Sequence, residues 1–340
     1  MSIRVTSVTK SFGLCTAVDD ISFDIPDGVF FCVVGPSGCG KSTLLRLIAG
    51  LDTPDSGTVL LDGKTVFDDQ QNIPPEDRQV GVVFQSYALW PHLSVLRNVA
   101  FPYEAKGVAR SVAQKQAAIH LDTVSLTEFA DRRPEALSGG QRQRVALARC
   151  LAGDARTILM DEPLANLDPH LRHSMEAELR AFHDRSGVTT LFITHDQREA
   201  MALADLMAVM DGGRILQIGT PQEIYDRPTN ISVARFIGRG TLLASNVVNG
   251  RATLFGQDVP VLGRGSGVCN VFVRPKQVAI DQSGWPAKVT SVAYRGGHWE
   301  VAATGKHDAQ EATALVDLDS PVRLGETLFL SVSSGWVVPD

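Results

Sequence analysis

Apolar and polar positions alternate over residues 3–9 and again over 21–25, where Ile21, Phe23 and Ile25 share one side. That period of two predicts half-buried antiparallel strands. Four short continuous apolar runs follow at wide spacing: 30–34 (FFCVV), 80–84 (VGVVF), 157–160 (TILM) and 189–193 (TTLFI). Runs of this length suit strands covered on both faces and predict a parallel core. Helical periodicity fills the intervals. One helix is predicted to begin at Pro169 behind the N-cap Asp168, with Leu171, Met175, Leu179 and Phe182 on one stripe. Residues 205–218 predict a strand pair turned at Asp211-Gly212-Gly213. The texture changes near Phe236–Thr241. Residues 241–340 hold 16 valines and 11 glycines with little helical pattern, which predicts a small β-barrel or sandwich after a boundary at about 235–240.

Composition narrows the class. A chain of 340 residues suggests two domains at roughly 150 residues each. With 44% hydrophobic and 21% charged residues it reads as soluble and globular. No apolar run approaches the roughly 20 residues of a membrane-spanning helix. The first residues carry no signal-peptide pattern, so the cytosol is the expected compartment. A net charge of −6 argues against a sequence-independent grip on nucleic acid. The five cysteines (Cys15, Cys32, Cys39, Cys150, Cys269) are odd in number and form no CxxC, which supports neither a disulfide framework nor a zinc site.

The chemistry lies in five short segments. Gly35, Pro36, Ser37, Gly38, Cys39, Gly40, Lys41, Ser42 and Thr43 fit GxxxxGK[ST] between a predicted buried strand and a helix running from Lys41 to Ala49, closed by Gly50. Such a loop wraps phosphate oxygens with backbone N–H groups, and the helix N-terminus adds partial positive charge. Lys41 is placed to reach the β and γ phosphates and Ser42 to ligate Mg²⁺. Ser138 is a good N-cap for a helical stretch from Arg142 to Leu151. With Gly139, Gly140 and Gln141 it offers a second anion site or simple capping. Asp161 and Glu162 end an apolar strand; Asp161 suits a Mg²⁺ ligand and Glu162 can polarise water, while an isolated pair would read as a solvated turn before Pro163. His195 ends the last core strand, where ligands gather in such sheets. Gln85 follows the strand 80–84 and suits contact with Mg²⁺ or water. Cys39, at a helix N-terminus beside Lys41, is expected to have a lowered pKa, so that alkylation would block activity and nucleotide would protect.

Taken in order, GPSGCGKST, a glutamine after VVF, LSGGQRQR, ILMDEP, ANLD and the ITH histidine resemble the ATP-binding subunit of an ATP-binding-cassette (ABC) transporter over residues 3 to about 235. The resemblance implies an α/β P-loop NTPase fold at 1–235, with a helical subdomain at about 88–152. An all-β, OB-like regulatory domain at 236–340 is similar to that of maltose-type and mineral/organic-ion importers; Phe236-Ile237-Gly238 and Arg274-Pro275 carry that looser match. It implies ATP and Mg²⁺ as cofactors, with Mg²⁺ at Ser42, Gln85 and Asp161. Glu162 is then the general base, His195 a sensor of the γ-phosphate and Gln85 a third catalytic residue. Phe12 matches the aromatic that stacks on adenine. Two subunits would meet head to tail, with Ser138, Gly139, Gly140 and Gln141 contacting the γ-phosphate held by the partner's loop. Asn166 and Asp168 fall in the D-loop, where Ala165 stands in place of the commoner Ser.

Gln85 and the segment at about 87–105 are expected to face two transmembrane permease subunits, with Tyr87, Trp90, Pro91 and His92 forming an exposed apolar patch. An extracytoplasmic solute-binding protein would act indirectly, and no nucleic acid is expected. The chain would sit peripherally on the cytoplasmic face of the inner membrane. Import is favoured over export because no membrane span is fused and a β domain is appended. The compact C-terminal domain and the segment 236–243 look most like the ferric-iron branch, with polyamine importers the other near branch and the phosphonate, sulfate and sugar branches open. The competing reading is a soluble ABC ATPase regulating another complex; for one acting on nucleic acid or ribosomes, a single phosphate loop, the lack of heptads and the acidic charge count against it, while a C-terminal regulatory module with ATP as its switch stays open.

Overall fold

The computed structural model describes residues 2–165, 167–307 and 310–339. Contacts divide the chain into two units, Met1–Pro221 and Gln222–Asp340. The division falls ahead of the join expected at about 235–240.

In the first unit the alternating segments form long strands. β1 (Ile3–Phe12) pairs antiparallel with β2 (Cys15–Ile25), whose inward positions Val18, Ile21, Phe23 and Ile25 are buried. The four apolar runs become β3 (Phe30–Val34), β6 (Val80–Val83), β7 (Thr157–Asp161) and β8 (Thr189–Thr194), all parallel. They share one six-stranded sheet, ordered β10-β9-β3-β8-β7-β6. β9 (Leu206–Asp211) runs parallel to β3, and β10 (Arg214–Gly219) returns antiparallel through the Gly212-Gly213 turn. β4 (Ser56–Leu61) and β5 (Lys64–Phe67) complete the smaller sheet, ordered β2-β1-β4-β5. Every residue of β3 and β8 is buried, which is why no alternation marks them. Phe23 stacks on Phe31 at 5.5 Å, and one apolar cluster joins the two sheets through α1 (Lys41–Ala49).

α2 (Val95–Ala105), α3 (Arg110–Thr123) and α4 (Gly139–Ala152) form the helical segment between β6 and β7. α5 (Pro169–Ser186) starts where the N-cap signal places it, with Leu171 N–H donating to Asp168 Oδ1 at 3.0 Å. Met175, Leu179 and Phe182 are buried, but Leu171 is exposed, so the predicted stripe loses its first member in the opening turn. α6 (Gln197–Leu203) follows β8.

α7 (Pro221–Asp226) begins on the last residue of the first unit, and α8 (Ile231–Phe236) follows in the second. A closed barrel follows, ordered β11-β12-β13-β19-β14. Its strands are β11 (Thr241–Val248), β12 (Arg251–Leu254), β13 (Gln257–Leu262), β14 (Gly267–Val273) and, from the far end of the chain, β19 (Gly335–Val338). A four-stranded sheet, ordered β17-β16-β15-β18, is built from β15 (Val278–Tyr294), β16 (Trp299–His307), β17 (Gln310–Leu318) and β18 (Thr327–Val332). A single apolar cluster spans barrel and sheet, with Phe255 and Trp285 in ring contact at 4.4 Å. The all-β reading of this region therefore holds, and it resolves into a barrel plus a sheet.

Candidate functional site

The loop between β3 and α1 is shaped by two glycines that nothing larger can replace. A Cβ on Gly35 would lie 2.0 Å from Met210 O, and one on Gly40 would lie 1.9 Å from Ala17 O. Gly40 also sits at φ 103°, which L side chains rarely adopt. No side chain caps α1, so its first N–H groups stay available at the loop. Lys41 is nearly buried, its Nζ donating to Gly35 O at 2.9 Å and Pro36 O at 2.8 Å. Ser37, Gly38, Gly40, Lys41, Ser42, Thr43, Ala17 and Glu162 line one cleft of about 220 Å³.

The strand ends bring the acidic groups to this loop. Ser42 Oγ donates to Asp161 Oδ1 at 2.8 Å. Burial pushes the Asp161 carboxyl above its ordinary value, aided by the neighbouring Glu162 charge; the Ser42 hydrogen bond and the charges of Lys41 and Arg46 pull the other way. Glu162 leaves β7 at φ 46°, its N–H donating to Ile193 O at 3.0 Å. Its Oε2 lies 3.1 Å from Nδ1 of His195, which follows β8 directly. Behind His195, Thr194 Oγ1 donates to the buried Glu199, and Asp196 caps α6. Phe12, at the end of β1, is 53% exposed, with Lys10 Nζ 5.3 Å from its ring centre.

Cys39 contradicts its expected reactivity. Burial raises its thiol pKa, outweighing the lowering by the Lys41 charge and hydrogen bonds. The thiol is 6% exposed, with Lys41 Nζ at 3.7 Å, so sequence proximity to a cation misjudged the larger effect.

Ser138 caps α4 through a reciprocal pair: Gln141 N–H donates to Ser138 Oγ at 3.3 Å, and Ser138 N–H donates to Gln141 Oε1 at 2.8 Å. The glycines here also serve packing. A Cβ on Gly139 would meet Leu167 at 2.6 Å, and one on Gly140 would meet Met175 at 2.5 Å. Among the described residues, none of Ser138–Gln141 hydrogen-bonds to the phosphate loop of its own chain. Asn166 lies outside the described residues.

Gln85 is exposed just beyond β6, and Pro91 and His92 are exposed with it. The predicted apolar patch does not form as a unit, because Tyr87 is buried and its hydroxyl donates to Pro163 O at 3.3 Å. Trp90 is half-buried against Phe101, with ring centroids 4.1 Å apart. Tyr87 and Ala88 both adopt positive φ, 63° and 46°, at a cost of about 1–2 kcal/mol per residue. Arg149 of α4 holds that strained pair, donating to Tyr87 O at 3.0 Å and Ala88 O at 2.7 Å. Sequence reasoning passed over Arg149 and the inward role of Tyr87. The one signal available, a bulky aromatic two residues after Gln85, does not say which way it points.

Comparison with known proteins gives the family. The family profile for ABC transporters matches residues 18–165, and that for TOBE domains matches residues 271–338. The spermidine/putrescine import ATP-binding protein PotA of Nitrosomonas eutropha is 41% identical over 98% of this chain and 92% of its own length. The chain belongs to the ABC transporter ATP-binding subunits. The corresponding Thermotoga maritima protein is 43% identical over 77% of this chain and 70% of the relative. The trehalose/maltose import ATP-binding protein MalK of Thermococcus litoralis is 48% identical over 69% of this chain and 64% of the relative. Among solved structures, a dimeric ATP-binding cassette in a post-hydrolysis state with ADP and Pi matches 64% of this chain and 98% of its own, at TM-score 0.56 and 31% identity. The cbiO1 protein of Clostridium perfringens matches 66% and 90%, at TM-score 0.60 and 28% identity. This ABC subunit is an ATP-binding, ATP-hydrolysing enzyme: a P-loop NTPase domain with a TOBE domain at its C-terminal end. None of its described helices is long and apolar enough to cross a membrane.

Proposed function

We propose that this subunit hydrolyses ATP to power solute import through separate membrane-spanning partners. The observation that carries the reading is the cleft lined by Lys41, Ser42 and Glu162, with Asp161 bonded to Ser42 and His195 to Glu162, at the C-terminal ends of adjacent parallel strands. Lys41, now bonded to loop carbonyls, would exchange them for the β and γ phosphates. The Ser42 hydroxyl and Asp161 carboxylate, 2.8 Å apart, are hard oxygen donors that fit Mg²⁺. Among the described residues no three His, Cys, Asp or Glu side chains form a metal cluster, so such an ion would take its remaining ligands from phosphate and water, with Gln85 a further candidate. Mg²⁺ there would neutralise charge developing on the phosphates. Glu162 is the base for the attacking water, and His195 orients its carboxylate and reads the γ-phosphate. Phe12 stacks on adenine.

Ser138, Gly139, Gly140 and Gln141 act in trans, on nucleotide held by a second copy, with Asn166 and Asp168 at the junction. The dimeric cassettes among the similar structures support this reading. ATP then favours the closed dimer, and hydrolysis releases it. With this chain peripheral on the cytoplasmic face of the membrane, two transmembrane permease subunits receive that motion, and a solute-binding protein delivers cargo from outside. The solute is a polyamine or a sugar by the names of the relatives, and those names lend no support to ferric iron.

The Glu162→Gln variant tests the core of this. Turnover should fall at least about a hundredfold while ATP is retained, giving a dimer that appears only with ATP. Hydrolysis at the parent rate refutes Glu162 as base. A pull-down of the same variant from gently solubilised membranes should recover polytopic subunits; soluble partners alone would refute the transport role.

A further inference from the structure

Tyr87 sits where three motif-bearing segments meet. It lies two residues after Gln85, with its side chain 4% exposed. Its hydroxyl donates to the carbonyl of Pro163, the residue immediately after Glu162. A Cβ on Gly139 would lie 4.0 Å from that hydroxyl, so the start of α4 borders the same contact. Burial raises the phenol pKa against the opposing charge of Arg142, which keeps the hydroxyl protonated and able to donate.

The backbone of Tyr87 is held as firmly as its side chain. Tyr87 N–H donates to Phe84 O at 2.8 Å, closing a turn directly over Gln85. Arg149 takes both strained carbonyls, and its guanidinium lies 4.9 Å from the centre of the Trp90 ring. Arg149 belongs to α4, the helix that Ser138 caps. A displacement of the loop that carries Gln85 therefore moves Tyr87, and α4 must move with the loop or release it.

The turn at Glu162 has two backbone anchors. Glu162 N–H is fixed to Ile193 O of β8, and Ala165 N–H closes on Glu162 O at 3.2 Å. On the far side Pro163 O is held by Tyr87. We infer that Tyr87 and Arg149 are positioning residues that tie the placement of the Glu162 carboxylate to the position of the loop following Gln85. Neither residue is among those that line the cleft at the phosphate loop. The inference rests on Glu162 being the base, and it adds a route by which an event at an exposed loop reaches that base without passing through the phosphates.

The test is Tyr87→Phe in the full chain, which removes one oxygen and keeps the ring. At saturating ATP, kcat should fall about threefold to tenfold, the worth of one buried hydrogen bond, with KM for ATP unchanged. Arg149→Met keeps the aliphatic stem but offers neither carbonyl a donor, so it should shift kcat in the same direction. The double variant should be less impaired than the product of the two single factors, because both act along one path. Parent kcat in Tyr87→Phe, or factors that multiply, would overturn the inference. So would a lowered melting temperature with unchanged kcat for the folded fraction, which marks packing alone. Glu162→Gln separates the two readings. If it turns over at the parent rate, the base assignment has failed. If it is dead while Tyr87→Phe is normal, only the positioning role has failed.

Discussion

Lys41 and Arg274 are both nearly buried cations, one in each unit, and they are held in opposite ways. Lys41 bonds two carbonyls of its own loop and lies along a cleft shared with Ser42, Thr43 and Glu162. Arg274 donates to Tyr225 O, Ile237 O and Arg239 O and is clasped between the Tyr225 and Phe272 rings, 4.0 and 4.5 Å from their centres. Burial lowers its pKa to about 10, so it stays charged at neutral pH with carbonyls as its acceptors. A lysine on a flexible stem can trade carbonyls for phosphate. A guanidinium with every edge and both faces engaged fixes a shape. Burial and hydrogen bonding alone therefore do not mark chemistry; convergence on a cleft with spare backbone donors does.

Replacing each cation's surroundings should separate the two roles. Arg274→Leu leaves three buried carbonyls without a donor and should cost the second unit about 3–5 kcal/mol. Three of the four tryptophans (Trp285, Trp299, Trp336) lie in that unit, so urea unfolding followed by tryptophan fluorescence reads it directly. ATP affinity should be unchanged. A loss of affinity equal to that of a phosphate-loop variant would erase the distinction.

Gly40→Ala is the counterpart in the first unit. Its Cβ would collide with Ala17 O, and the φ of 103° is strained for alanine. The loop must open, and ATP binding should weaken by about a hundredfold, or roughly 2.7 kcal/mol. Tryptophan-detected unfolding should barely move. Gly256, at φ 76° with nothing near its Cβ position, is the matched control in the second unit. Gly256→Ala should cost about 1 kcal/mol and leave nucleotide binding alone.

That contrast also explains what was legible in the sequence. The phosphate loop, the helix ending at Gly50, the acidic strand end and His195 were readable because each needs particular residue types at fixed spacing. The parallel core was readable because burial on both faces removes alternation. Tyr87 was misread because a left-handed turn at two ordinary residues reverses the direction of a side chain without leaving a compositional trace. Cys39 was misread because sequence shows the neighbouring lysine but not the burial that outweighs it. In the second unit, pairing such as Val261 with Gly335 joins distant segments of similar texture, so an all-β fold could be expected but its strand order could not.

Acid should separate the units by a smaller but ordered effect. In the first unit His183 is buried, with Nδ1 3.1 Å from Thr190 Oγ1 and Nε2 3.1 Å from Gly28 O. The Gly28 carbonyl only accepts, so Nε2 carries a proton. Burial and then the Arg180 charge lower the His183 pKa, against Asp205, the Gly28 bond and Asp184. Burial likewise lowers that of His120, against Asp154. A lowered histidine pKa means that the unfolded chain binds more protons, so stability is complete above the unfolded value near 6.5 and is lost as pH falls below it. In the second unit burial would raise the Glu300 pKa, but the Arg295 hydrogen bond and the charges of Arg239, Arg295 and His298 lower it. Stability from a lowered carboxylate persists down to the unfolded value near 4.5 and is lost only below that. Between pH 7 and pH 5 each of these histidines should therefore weaken the first unit by up to about 1.4 kcal/mol per pH unit, offset in part by Asp161 and Glu199, whose burial-raised pKa values favour the folded chain in acid, while the second holds. Urea midpoints can be followed by hydrogen exchange of β3 and β8 against β16 and β17. His183→Gln should flatten the slope of the first unit, though its midpoint at pH 8 will be lower. An equal acid slope in both units, or one that His183→Gln leaves intact, would show that the neutral buried ring is not what distinguishes them.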